Sequence, residues 1–173
     1  MAAWFTIYSP RSLDGLSADG IADALRSGDL HTDAEGFGIE DDDEVYRAVA
    51  ALRVEALADD PAIPFAVSVK EGRSRPLLVH RWTDPARVRE EIAEAEEYLA
   101  GRKGRVSAIR AALSRCIEVA AVELGLVHLE GMGLVIAGQV AEHLASVGNG
   151  LILDTNDEWW TMRKGVPVLL LGR

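Results

Sequence analysis

Apolar residues recur along this chain in two rhythms: alternation over short runs and helical spacing over longer ones. Trp4, Phe5, Thr6, Ile7 and Tyr8 are aromatic or β-branched, and Pro10 stops the run, which predicts a first strand. Ser17 can cap a short helix over 18–26 that ends at Gly28. Residues 29–43 read as a loop with an acidic bias. Val45, Val49, Leu52 and Ala56 then sit at helical spacing and predict a helix over 44–58. Asp41, Asp42, Asp43 and Glu44 lie at its start, where the helix dipole favours negative charge. Pro61 and Pro64 end it. Residues 65–69 and 76–82 read as the two strands of an antiparallel hairpin around a turn at 71–74. Asp84 as N-cap and Pro85 at the first helical position open a helix that runs to about Ala100, with Val88, Ile92, Ala95 and Leu99 as its inner stripe.

The last third continues the pattern. Val106, Ile109, Leu113 and Cys116 share one face of a further helix. Residues 117–124 are apolar and read as a strand or as an extension of that helix. Met132, Ile136, Val140, His143, Leu144 and Val147 stripe a helix that ends at Gly148, Asn149 and Gly150. Leu151 to Asp154 is a strand, 154–158 a polar turn, and 166–171 a final strand interrupted by Pro167. Strands and helices are interspersed without regular βα alternation, and no linker or repeat divides the chain. The fold class is therefore α+β in a single domain. The expected architecture is an antiparallel or mixed sheet of about five to six strands with helices packed mainly on one face.

Composition narrows the function classes. The chain has 173 residues, 49% hydrophobic and 27% charged, which is enough to bury one real core. Against 28 acids stand 18 bases, a formal charge of -10. Such a field repels phosphate backbones and attracts basic partners, so a nucleic-acid ligand is not expected. No apolar run approaches the roughly 18 residues needed to span a bilayer, and the N-terminus lacks a basic, apolar leader. Cys116 is the only cysteine, which excludes an intrachain disulfide and suits the cytoplasm.

Chemical motifs are sparse. Residues 29–40 place acids at three calcium-loop positions and Glu40 at the twelfth, but His31 and Ala34 stand where an acid and the turn glycine belong. His31, His80, His128 and His143 have no His or Cys neighbour at metal-ligand spacing, so neither a metal nor a cofactor is expected. Cys116 lies on an apolar face, as a buried and inert thiol would. Gly131, Gly133 and Gly138 match no phosphate loop. Glu90, Glu91, Glu94, Glu96 and Glu97 read as a solvated helix face, with Arg87 paired to Glu91. Most informative is Asp154, Asp157, Glu158, Trp159 and Trp160. Neighbours on a strand point to opposite faces, so one indole can enter the core while the other reaches the surface. A surface Trp beside carboxylates is a typical anchor for a protein contact, and these five residues are the expected partner-binding site.

Over 123–160 the chain combines VELG, GMGLVIAGQVAEHLA, a glycine-bounded turn, LILD and an acid-Trp ending. This stretch resembles the C-terminal half of small bacterial α+β proteins that accompany polymorphic toxins as immunity proteins. The resemblance implies a cytosolic, non-enzymatic protein that binds a cognate toxin and blocks its active site, and it assigns no individual residue. Two other functions compete with a protein that holds a basic partner. One is a small hydrolase using acids such as Asp154 and Asp157 with a histidine. The other is a structural or assembly subunit, because 166–171 (VPVLLL) is apolar without alternation and is expected to be buried on both faces, in the sheet or in a homo-oligomer interface.

Overall fold

The computed structural model describes residues 3–70 and 75–172. The first alternating run forms β1 (Ala3–Ser9). Ser17 caps α1 (Ala18–Ser27) by accepting a hydrogen bond from the Gly20 amide. The acidic stretch that follows is not a loop throughout. Asp29 accepts from the Thr32 amide and hydroxyl, and this cap starts α2 (Leu30–Gly36). The carboxylate that would open a calcium loop is thus committed to a helix end.

Asp41 caps α3 (Asp42–Ala51). This helix stops seven residues short of the expected 58, and Arg53–Ala56 forms β2 instead. Up to Leu52 the apolar residues Val45, Ala48 and Leu52 join a core cluster. Beyond it, Val54 faces Val67 across an antiparallel ladder with β3 (Phe65–Ser68), so strand pairing overrides the helical spacing of Ala56. The hairpin partner is β4 (Leu77–Trp82), while the turn expected at 71–74 lies outside the described residues. Then come α4 (Pro85–Leu99), α5 (Val106–Leu113), β5 (Glu118–Leu124), α6 (Met132–Gly148), β6 (Leu151–Leu153), β7 (Trp159–Arg163) and β8 (Val166–Leu171). Asp84 caps α4 as its sequence predicts, accepting from the amides of Ala86 and Arg87.

All eight strands form one antiparallel sheet in the order β2-β3-β4-β5-β1-β6-β7-β8. The expectation of five to six strands was short by β2, read as helix, and β7, which the two tryptophans begin. Strand β1 is central, and alternation along it divides the core. Phe5 and Ile7 join Ile21, Leu25, Val45 and Ile136 in one cluster, beneath α1, α2, α3 and α6. Tyr8 joins Val88, Leu99, Ile109, Leu113 and Trp159 in a second cluster, beneath α4 and α5. Strand β5 sits between β4 and β1 and serves both clusters, which explains its run of small apolar residues.

Two polar features fix the geometry near the centre. Arg81 donates from Nε and Nη2 to the two oxygens of Glu118, at 3.0 and 3.1 Å, and Glu118 also accepts from the Leu13 amide. This clasp ties β4 and β5 to the chain after β1. At the end of α6, a Cβ on Gly150 would lie 2.7 Å from the Tyr8 carbonyl oxygen, so only glycine lets the turn into β6 close against β1.

Within the chain, strand β8 is not buried inside the sheet, the first of the two places expected for it. It is an edge strand, with Val166 59% and Leu169 43% exposed and only Leu171 buried. Pro167 lacks the N–H that a further strand would use, which is a common way of blunting an edge. Among the described residues, no helix is long and apolar enough to cross a membrane.

Candidate functional site: an acidic pocket beside Trp160

The polar turn and the tryptophan pair separate cleanly. Asp154 Oδ1 accepts from the amides of Asn156 and Glu158, at 2.8 and 3.0 Å, and its Oδ2 accepts from the Trp160 indole Nε1 at 3.0 Å. Asp157 takes a positive φ of 62° to complete the turn. Asp154 therefore has three of its roughly four acceptor positions filled from within, and one of these bonds fixes the indole of Trp160. Trp159 points the other way. It is fully buried, stacked on Tyr8 with ring centroids 5.6 Å apart, and its Nε1 has no acceptor among the described residues. The surface contact expected of Trp159 is closed to it, because the ring is fully buried, whereas Trp160 stays partly exposed. Asp157 and Glu158 stay half-buried in the turn.

Trp160 and Asp154 line a pocket of about 200 Å³ on the face that carries α2 and α6. Phe5 and Ile152 form its apolar floor, and Phe37 stands at its rim, 55% exposed. Helix α6 contributes Val135, Gly138, Gln139 and Glu142, spaced so that they share one stripe. Helix α2 contributes Asp33, whose carboxylate accepts a hydrogen bond from Gln139 Nε2. None of the residues lining the pocket is basic.

Its electrostatics follow from that lining. Burial pushes the Glu142 carboxyl up to about 7, and the nearby Asp33 charge pushes in the same direction. Burial and the neighbouring Asp29 also raise Asp33, against the hydrogen bond from Gln139. Asp33 and Glu142 thus join Asp154 around an apolar hollow, and Glu142 has no hydrogen-bond or ion-pair partner among the described residues. The sequence reading missed Asp33, Gln139 and Glu142. Gln139 and Glu142 were legible as polar interruptions three apart in an otherwise apolar helix, whereas Asp33 was hidden in what read as a loop.

The surroundings extend the site. Leu169 pairs with Trp160 across β7 and β8 and so shares its face, and Pro167 also lines the pocket. Phe37, Trp160, Pro167 and Leu169 make a partly exposed apolar rim around the carboxylates. A wider groove of about 600 Å³, between α3 and the start of α6, differs in kind. Its lining carries both signs, Glu44 against Arg47 and Lys70.

The remaining candidates are accounted for locally. Cys116 is half-buried, its thiol donates to the Glu118 carbonyl oxygen at 3.1 Å, and burial pushes it up to about 11, so the reactive thiolate is scarce at neutral pH. Burial holds the rings of His128 and His143 below the usual imidazole range. Among the described residues, no group of three or more His, Cys, Asp and Glu side chains is arranged to hold a metal ion. Comparison with known proteins returns no matching family model, no matching curated protein and no matching solved structure.

Proposed function

We propose that this protein is a non-catalytic cytoplasmic binding protein that holds a basic protein partner, in the manner of the immunity proteins that neutralise toxins. One observation carries the reading. A pocket with carboxylates and no basic residue is lined by the exposed Phe37 and the partly exposed Trp160, and the exposed Leu169 pairs with Trp160 beside it. Exposed apolar patches bordered by polar groups mark protein contacts, and an aromatic anchor near their centre supplies most of the affinity. The charge of -10 steers a basic partner towards the surface.

The test is co-expression with the products of the neighbouring genes. One of them is expected to co-purify with this chain and to lose its toxicity, and Trp160→Ala is expected to abolish both effects while the circular dichroism spectrum is unchanged. Absence of any bound neighbour, or full binding by Trp160→Ala, overturns the reading.

A second reading, a small hydrolase, is favoured by the raised Glu142 beside Asp33, since paired carboxylates held at different ionisation serve as acid and base. No histidine, serine or cysteine lines the pocket to act with them.

A further inference from the structure

The pocket itself is small beside a protein surface. At about 200 Å³ it falls below the ~300–1,000 Å³ that encloses a drug-sized ligand, and suits a single side chain. We propose that the occupant is one arginine side chain of the partner, its guanidinium between Glu142 and Asp33 and its flat faces against the rings of Trp160 and Phe37. This rests on the docking reading for its source but on the pocket for its chemistry.

Three features select arginine. The pocket supplies negative charge and no positive charge, so a cation completes it. Two of its three carboxylates come from separate helices, Asp33 on α2 and Glu142 on α6, while Asp154 is taken up by its own turn and by Trp160. A guanidinium presents five donors in a rigid fork and can meet two such acceptors together, whereas an ammonium is a compact, strongly hydrated point charge. The walls are aromatic, and a guanidinium stacks on aromatic rings while its apolar stem covers surface such as Ile152. Helix α6 leaves the space by carrying Gly138, where a Cβ would only reach ordinary contact with Phe5 Cζ at 3.9 Å. Burial of Glu142 adds a pH dependence: the carboxylate that the cation needs is about half ionised near pH 7 and increasingly protonated below it.

The probe is n-propylguanidinium, titrated into the intact chain at about pH 8 while the Trp160 indole N–H is followed by NMR. Saturable shifts are expected in the millimolar range that so small a ligand can reach. Affinity is expected to fall about tenfold in Glu142→Gln and at about pH 5.5, and to vanish in Gly138→Leu, whose side chain fills the hollow. No saturable shift up to about 100 mM, or shifts indifferent to both variants, overturns the proposal. So does n-propylammonium binding equally well, which would make lysine the occupant. Loss of partner binding in Trp160→Ala with none in Glu142→Gln and Gly138→Leu would sink the pocket assignment and leave the docking surface standing. Guanidinium binding without any protein partner would do the reverse.

Discussion

The two faces of the sheet each set carboxylates against tryptophans, and they treat the charge in opposite ways. On the face that also carries Tyr8, Glu123 stands across the strands from Trp4 and Leu78. Its carboxylate accepts from His80 Nε2 at 2.9 Å and forms an ion pair with Arg75. His80 is itself packed between rings, edge-on to Trp4 at 5.0 Å and stacked on Trp82 at 5.7 Å, and Arg87 lies 5.3 Å over Trp82. Glu123 and Arg87 there each have a counter-charge from within the chain. On the opposite face, Asp33 and Glu142 share a pocket with Trp160 and no base. The same ingredients therefore hold the fold together in one place and leave an unmet demand for a cation in the other. The difference lies in whether a neighbouring strand supplies an arginine, as the segment before β4 supplies Arg75.

The sharpest way to break this contrast uses the adjacent tryptophans. Trp159→Ala is expected to cost about 3–5 kcal/mol in denaturant unfolding, because it empties a fully buried site. Trp160→Ala is expected to cost less, about 2 kcal/mol, because its ring is already partly exposed. Equal losses would show that the two rings are not divided between core and surface.

The acids come next. Glu123→Ala is expected to lower stability by about 1–3 kcal/mol, since it strands the half-buried ring of His80 and removes a charged hydrogen bond. Glu142→Gln is expected to act in the other direction. Its folded value, about 7, lies above the ordinary 4.5, so the folded state holds the proton more tightly than the unfolded one. That contribution is fully present below about pH 4.5 and is lost as pH rises through about 7. Because the side chain is partly exposed, the gain from Glu142→Gln above pH 7 is expected to be only about 1 kcal/mol, shrinking towards pH 5. Thermal unfolding of both proteins across this window measures it. A destabilising Glu142→Gln, or a gain that does not grow with pH, would mean that Glu142 is paired like Glu123.

Much of the local structure was legible in the residues. Ser17 and Asp84 announced their helices, and the runs at Trp4 and Leu151 announced their strands. Strand β2 was not legible, because Val54 and Ala56 fit a helix until Val67 is present to pair with Val54. Helix α2 was hidden because a run containing His31, Asp33 and Gly36 has weak helix propensity, and the cap at Asp29 is what starts it. Of the five expected contact residues, Asp154 and Trp160 line the pocket, Trp159 is core, and Asp157 and Glu158 belong to the turn. The other two acids of the pocket, Asp33 and Glu142, lie on helices more than a hundred residues apart in the chain.

By itself the sequence determined the caps, the alternation and the excess of acid, because these depend on neighbours within a few residues and on a sum over the chain. Only the tertiary structure decided which acids meet a base and which do not. Ionisation in an apolar site depends on burial and on charges brought close in space, and the packing of α2 and α6 over β1 sets both.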